Sequence, residues 1–311
     1  MGAWGVGLYS SDMAADMRAT IKSVLRLPFD ENRVVEILRE CESRAADDPN
    51  DEDHTIFWLV LADQFEKRRV AHAATREKAI AIIDRGDDLA MMEKLGMKPA
   101  DLRKRGAKLA ELRARLAAAP QVSKPRSTVK APQPLVLEVG VLYACPVQRS
   151  SCLTPYLRDN YYAEIPWVPD GWRQFVILDQ GRAFDYLAWH QPLVCKKPVK
   201  QKPRLFDAGD DLWWELDSPK TCPQRYFDCM QIEAIGRLPI DMEKARARFA
   251  KRSRPGIVYL GWSARWGAIN DITIADCMNP SSHDWHLRYE PKGLVPDEGP
   301  TMMRSLGELL T

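Results

Sequence analysis

A proline-rich stretch near the middle of the chain separates two parts of different character. Residues 120–134 read PQVSKPRSTVKAPQP, with four prolines in fifteen residues and no apolar periodicity. Proline fixes the backbone and removes an amide donor, so this composition favours an extended linker over a helix or a strand. A chain of 311 residues is long enough for two domains. We therefore expect a domain at 1–119, a linker at 120–134 and a second domain at 135–311.

Before this linker, apolar residues recur at helical spacing. Met13, Met17 and Ile21 form one stripe, which follows the candidate N-cap residue Ser11. The stretch 56–62 is apolar on all sides and continues into a polar, helix-favouring sequence, which indicates a buried central helix. We expect the first domain to be an all-α bundle.

After the linker, the pattern changes to short β-like segments. Seven strands are predicted, at 135–144, 174–178, 186–189, 212–216, 226–235, 257–260 and 269–276. Gly181 predicts the turn of a hairpin between the second and third of these strands, and one helix is predicted over 241–251. The sequence thus indicates an α+β protein: a helical bundle joined to a domain with a mostly antiparallel sheet.

The overall composition favours a cytoplasmic protein without a membrane anchor. The net charge is +2, so no field of the whole molecule attracts nucleic acid or membrane. No apolar run approaches the ~20 residues of a membrane span, and the first residues do not read as a signal peptide. Seven cysteines without an export signal are expected to be reduced thiols. We expect no cofactor.

The N-terminus carries a recognisable pattern. Residues 1–7 read MGAWGVG, and Tyr9, Asp12, Ala15 and Asp16 follow. This pattern resembles the start of a bacterial family of uncharacterised proteins that begin MGxWGxGxFxxDxAxD and continue as a small helical domain. The resemblance covers about residues 1–118 and departs from the family at Tyr9, where Phe is usual. It implies an immunity-like or antitoxin-like role.

The C-terminal half is similar to a second group of proteins. Residues 139–144 (VGVLYA) and 174–178 (QFVIL) resemble the opening "GDVFAxP … FVxI" of small β-barrel immunity proteins of bacterial toxin systems. The aspartate of that pattern is absent here, because Val141 follows Gly140. This resemblance also implies a protein that binds a protein partner.

A long loop at 146–172 and the residue after it combine aromatic residues with arginine, the composition of protein interfaces. Because long loops in compact domains tend to be functional, we expect partner-binding residues here. The candidates are Tyr156, Arg158, Tyr161, Tyr162, Trp167, Trp172 and Arg173. The alternative is that these rings fill the core of the sheet.

An excess of cations over residues 97–130 suggests a second hypothesis, the binding of nucleic acid. This stretch contains ten cations and only two acids. It has no aromatic residue on which a nucleic-acid base could stack. The candidate contacts are Arg103, Lys104, Arg105, Lys108, Arg113 and Arg115. The alternative is a solvated helix face.

A third hypothesis is a metal-dependent enzyme. The ligand types that zinc prefers occur close together in a loop-like stretch, as Asp276, Cys277, His283 and His286. Two cysteine pairs, Cys145 with Cys152 and Cys222 with Cys229, are spaced more widely than the cysteines of a usual zinc site and are expected to be buried or half-buried free thiols.

No nucleophile elbow, phosphate-binding loop, metalloprotease motif or kinase signature occurs in the chain. This favours a non-enzymatic protein, although residues distant in sequence can still converge on a catalytic site. The leading hypothesis is therefore a protein-interaction module with an immunity-like or antitoxin-like role. Nucleic-acid binding and metal-dependent catalysis are the alternatives.

Overall fold

The computed structural model describes residues 5–118, 124–153, 166–205, 212–216, 224–249, 258–260, 264–265, 271–272, 287–289 and 302–311. Helices form the N-terminal part, and an antiparallel sheet dominates the C-terminal part. The predicted α+β class is confirmed. Contacts group the chain up to Lys130 into one compact unit, the helical unit, and most of the chain from Ala131 onward into a second, the sheet unit.

The described residues of the helical unit form α1 (Asp12–Val24), α2 (Glu31–Cys41), α3 (Ser43–Asp47), α4 (His54–Arg68), α5 (Ala73–Arg85), α6 (Asp87–Lys94) and α7 (Pro99–Ala117). Short polar side chains begin the first two helices. Ser11 Oγ accepts a hydrogen bond from the Ala14 amide at 3.2 Å, and Asp30 Oδ1 accepts one from the Arg33 amide at 2.8 Å. Gly86 ends α5 with a φ of +74°, a conformation that favours glycine.

Helix α4 lies at the centre of the helical unit. Phe57, Leu59 and Leu61 are fully buried, and α1, α3, α5 and α7 all pack against this helix. The prediction of a buried helix over 56–62 is confirmed. No helix among the described residues is both long enough and apolar enough to cross a membrane.

The described part of the proline-rich stretch, 124–134, contains neither helix nor strand. Its first half lies against the helical unit, because the Val129 amide donates to the Arg26 carbonyl at 2.8 Å. Its last residues lie against the sheet unit, where the Gln133 amide donates to the Tyr186 carbonyl at 2.8 Å. The middle and the end of the described stretch are therefore held by backbone hydrogen bonds.

The described C-terminal part forms β1 (Val141–Gln148), β2 (Ser151–Cys152), β3 (Gly171–Ala183), β4 (Leu187–Cys195), β5 (Trp214–Leu216), α8 (Gln224–Cys229), β6 (Glu233–Arg237), α9 (Met242–Phe249), β7 (Val258–Leu260), β8 (Ala264–Arg265), β9 (Asp271–Ile272), β10 (Leu287–Tyr289), β11 (Met302–Met303) and a 3₁₀ helix (Leu306–Leu309). The main sheet has the order β11-β5-β4-β3-β1-β2, and β6 also pairs with β1. Two separate pairs are β7 with β10 and β8 with β9.

Apolar residues cover both faces of the main sheet. On one face, Tyr143 and Phe175 stack with their ring centroids 5.5 Å apart. On the other face, Val176 belongs to a core that includes Phe249 of α9 and Leu306 of the 3₁₀ helix. Burial on both faces explains why β1 reads as a continuous apolar run rather than an alternating one.

The prediction of a turn at Gly181 is wrong. Gly181 lies within β3, opposite Trp189 of β4, and a Cβ at this position would lie 2.8 Å from Trp189 Cζ2. The glycine therefore makes room for the indole ring. The turn itself is at Phe184 and Asp185, whose φ angles are +50° and +63°, the pair of positive values that a tight hairpin turn needs.

The strand predicted over 226–235 is only partly right. Helix α8 occupies its first residues, and β6 begins at Glu233. The helix closes at Gln231, which has a φ of +54° and donates its amide to the Asp228 carbonyl at 3.1 Å. Short apolar runs do not distinguish a helix from a strand, which accounts for the error.

Candidate partner-binding surface

The beginning of β3 holds a second segment of chain at its side. Trp172 and Val199 exchange two backbone hydrogen bonds, of 2.7 and 2.8 Å. Gly171 permits this close approach, because a Cβ there would lie 3.0 Å from the Val199 carbonyl oxygen. Residues 196–204 are therefore attached to the sheet at a fixed register.

This segment, which we call the basic segment, reads KKPVKQKPR and contains five cations and no acid. The cations are Lys196, Lys197, Lys200, Lys202 and Arg204, and all five are exposed. Among the described residues, no carboxylate lies within ion-pair distance of Lys197 or Lys200. This segment was not among the predicted sites, although five cations in nine residues are a signal that the sequence itself carries.

Lys202 links the basic segment to the sheet. Its Nζ lies 5.2 Å from the centroid of the Trp172 ring, within the range of a cation–π interaction. The same ammonium group forms an ion pair with Glu233 of β6. The charge of Lys202 is therefore partly offset, and the ammonium group lies over the Trp172 ring.

Residues 166–170 form the neighbouring part of this surface. Val168 is 63% exposed, although its amide donates to Gln148 Oε1 at 3.2 Å. The Asp170 amide donates to the Val147 carbonyl at 2.9 Å, and its carboxylate accepts from the Arg149 amide at 2.9 Å. An exposed apolar side chain is thus presented on a hydrogen-bonded backbone.

Four of the seven residues predicted to bind a partner lie outside the described residues: Tyr156, Arg158, Tyr161 and Tyr162. Trp167 and Trp172 are half-buried. Arg173 is buried at 7% exposure and follows Trp172 in β3, so its side chain is on the opposite face of the sheet. It donates to the Ser150 carbonyl at 2.9 Å and is not part of the exposed surface.

The six residues predicted to contact nucleic acid all lie on α7. Four of them form ion pairs inside the helical unit: Lys104 with Asp101, Arg105 with Asp88, Arg113 with Asp84 and Arg115 with Asp63. Arg105 is buried, and its guanidinium binds both oxygens of Asp88 at 2.6 and 2.8 Å. Only Arg103 and Lys108 of the six are exposed without a carboxylate partner among the described residues.

A buried acid attaches the N-terminal segment to the helices. Asp63 is 1% exposed, accepts a hydrogen bond from the Tyr9 hydroxyl, and binds Lys67 at 2.7 Å and Arg115 at 2.6 Å. Burial raises the pKa of Asp63, but the hydrogen bonds from Arg115, Lys67 and Tyr9 outweigh it and leave the pKa below its ordinary value. Burial and the bond to Asp63 raise the pKa of Tyr9, which stays a donor. Tyr9, in the described part of the N-terminal pattern, therefore serves to hold this segment against the helices.

The residues predicted as metal ligands, Asp276, Cys277, His283 and His286, lie outside the described residues. In the parts of the chain that the structure describes, no group of three or more His, Cys, Asp or Glu is placed to hold a metal ion. The metal-site hypothesis therefore stays a prediction.

Comparison of the chain with protein-family models, with curated proteins and with solved structures finds no match. The resemblances of the N-terminal and C-terminal parts to bacterial families therefore stay predictions.

Proposed function

We propose that this protein binds an acidic protein partner through the basic segment together with Trp172 and Val168. In this proposal it is a non-enzymatic factor with an immunity-like or antitoxin-like role, as the two sequence resemblances imply. The observation that carries the proposal is a run of exposed cations on a segment whose backbone is fixed to the sheet.

The charge of the basic segment selects for a partner with surface carboxylates. No carboxylate of the described residues lies within ion-pair distance of Lys197 or Lys200, so their charge is available to a partner. At physiological salt, charges are screened beyond about 8 Å, and the acids of the partner must therefore come close to the segment. The bridge between Trp172 and Val199 fixes the backbone before binding, which reduces the entropy lost on association.

Apolar groups lie beside this charge. Val168 and Trp172 flank the same end of β1, because Gln148 binds the Val168 amide and Pro146 pairs with Trp172. An apolar centre with a charged rim is the usual anatomy of a protein–protein interface. Trp is also among the residues that contribute most to binding when a partner covers them.

The same surface is less suited to nucleic acid. Single-stranded nucleic acid stacks its bases on aromatic rings, but Lys202 lies over the Trp172 ring. Glu233, which is ion-paired with Lys202, adds a negative charge beside the segment that repels phosphates. On α7, four of the six cations that were predicted to bind phosphates already have carboxylate partners.

The test uses charge reversal at two matched pairs of exposed cations. The full chain is used to capture a partner from the native host, and the purified partner is titrated against three proteins. These are the wild type, Lys197→Glu/Lys200→Glu in the basic segment, and Arg103→Glu/Lys108→Glu on α7. All four side chains are exposed and lack carboxylate partners among the described residues, so neither pair should alter folding.

We expect the variant in the basic segment to bind at least about tenfold more weakly, because two rim charges together contribute ~1.4 kcal/mol or more. The α7 variant should bind within about twofold of wild type. Failure to recover a stoichiometric protein partner, or equal weakening by both variants, would contradict the proposal. A gel shift with single-stranded oligonucleotides that Lys197→Glu/Lys200→Glu abolishes would instead assign a nucleic-acid ligand.

A further inference from the structure

Two cysteines meet on one face of the sheet. Cys152 of β2 pairs with Val147 of β1, and Cys145 lies two residues before Val147, so both side chains are on the same face. Their Sγ atoms are 3.5 Å apart, and the two residues are 4% and 0% exposed. The thiols are therefore in van der Waals contact inside the core beneath the β1–β2 hairpin.

A buried cation lies next to these thiols. Arg173 of β3 is directly opposite Cys145 in the register and is 7% exposed. A hydrogen bond with Cys145 lowers the pKa of the Cys152 thiol against the opposing effect of burial, and the charge of Arg173 lowers the pKa further. The thiolate of Cys152, which is the nucleophile in thiol chemistry, therefore forms at a lower pH than that of an ordinary thiol.

We infer that Cys145 and Cys152 are a redox-active dithiol that forms a reversible disulfide across the β1–β2 hairpin. A metal ion does not suit the position, because no third His, Cys, Asp or Glu among the described residues joins the two thiols as a ligand, and the Arg173 guanidinium would repel a cation. This inference does not depend on the proposed binding function.

The reaction needs a disulfide oxidant, for which oxidised glutathione is the probe. The Cys152 thiolate attacks one sulfur of the oxidant, which releases one glutathione thiolate and leaves a mixed disulfide on Cys152. Cys145 then attacks the Cys152 sulfur and releases the second glutathione. The protein loses two electrons and two protons, and the oxidant gains them as two glutathione thiols.

The local backbone allows an oxidant to reach these buried thiols. Strand β2 has only two residues, pairs with β1 alone among the described strands and lies at the end of the sheet. Arg149 and Ser150, which join β1 to β2, have φ angles of +51° and +66°, a region that non-glycine residues rarely occupy. A two-residue edge strand has few ladder hydrogen bonds, so it opens once the Arg149 amide leaves Asp170 and the Ser150 carbonyl leaves Arg173. The sulfur atoms then need to approach by about 1.5 Å to reach the bond length of ~2.05 Å.

The test equilibrates the full chain in buffers of increasing oxidised-to-reduced glutathione ratio, followed by acid quenching, alkylation and peptide mapping. Trypsin cleaves after Arg149, between the two cysteines, so a disulfide joins two peptides that are otherwise separate. Cys195 is the internal control, because it is buried and burial raises the pKa of its thiol. We expect the disulfide-linked peptides of Cys145 and Cys152 to accumulate as the oxidant increases. Cys195 should stay reduced and should therefore be alkylated in every sample.

Variants establish the order of the steps. Cys145→Ser should accumulate a mixed disulfide on Cys152, and Arg173→Gln should slow oxidation at pH 7 by ~10-fold and move the pH–rate profile to higher pH. Full alkylation of both Cys145 and Cys152 in wild type at a large excess of oxidised glutathione would overturn the inference. Persistent mixed disulfides without linked peptides would also overturn it. These wild-type readouts do not require any variant to fold.

Discussion

Replacement of Arg105 by alanine should strongly destabilise the helical unit. The guanidinium is 3% exposed and binds both carboxylate oxygens of Asp88, and its third nitrogen donates to the Gly7 carbonyl at 3.1 Å. Asp88 is itself fully buried. Without Arg105, the Thr55 hydroxyl still donates to this carboxylate at 3.3 Å, but no cation would compensate its charge among the described residues.

The expected magnitude follows from the buried charge. Removal of one partner of a buried ion pair costs about 3–5 kcal/mol, since the other charge is left without compensation. Loss of the hydrogen bond to the Gly7 carbonyl adds about 1 kcal/mol. The double variant Asp88→Leu/Arg105→Met leaves no charge behind, so it should lie within about 2 kcal/mol of wild type. Arg113→Ala, which removes an exposed ion pair, should change stability little.

Urea unfolding followed by circular dichroism at 222 nm measures these differences, because most of the described helical residues belong to the helical unit. With a urea dependence of about 2 kcal/mol per molar, a loss of 4 kcal/mol moves the midpoint by about 2 M. A shift for Arg105→Ala no larger than that for Arg113→Ala would refute this reasoning. So would a double variant less stable than the single one.

Two further predictions concern the buried Asp63 and the close contact of Gly181 with Trp189. The pKa of Asp63 is lowered on folding, so its contribution to stability is present above its unfolded pKa of about 4 and is lost as the pH falls through the folded value. Asp63→Asn should therefore flatten the acid limb of stability in urea titrations from pH 2 to 6; an unchanged limb would count against this. Gly181→Ala should cost about 1–3 kcal/mol because its Cβ meets Trp189 at 2.8 Å. Gly106→Ala in α7, where the nearest atom is Leu89 Cδ1 at 3.6 Å, should instead stabilise by up to about 1 kcal/mol, and equal effects at both glycines would contradict the packing argument.

Local chemistry made much of the fold predictable. The run at 56–62 is apolar on all sides, so the local sequence is enough to indicate a buried helix, and α4 confirms it. The helix N-caps at Ser11 and Asp30 are likewise local features. The turn prediction at Gly181 was wrong because a glycine that leaves space for an aromatic ring cannot be distinguished in the sequence from a glycine in a turn. Only the register of β3 with β4 shows that Trp189 lies opposite.

The candidate site was harder to predict because it depends on register and long-range pairing. Arg173 reads as an interface residue beside Trp172, but alternation along β3 places it in the core. Arg105 on α7 reads as a surface cation, yet its partner Asp88 lies seventeen positions earlier in the chain. The charge of the basic segment can be read from the sequence, whereas the backbone pairing of Val199 with Trp172 cannot.

Hydrogen–deuterium exchange of the full chain, with and without its purified partner, tests the proposed binding surface most directly. The proposal predicts slower exchange on binding at residues 166–172 and 196–204, with α7 unchanged. Protection confined to α7 and the rest of the helical unit, with no change at 196–204, would contradict the claim that the basic segment binds the partner.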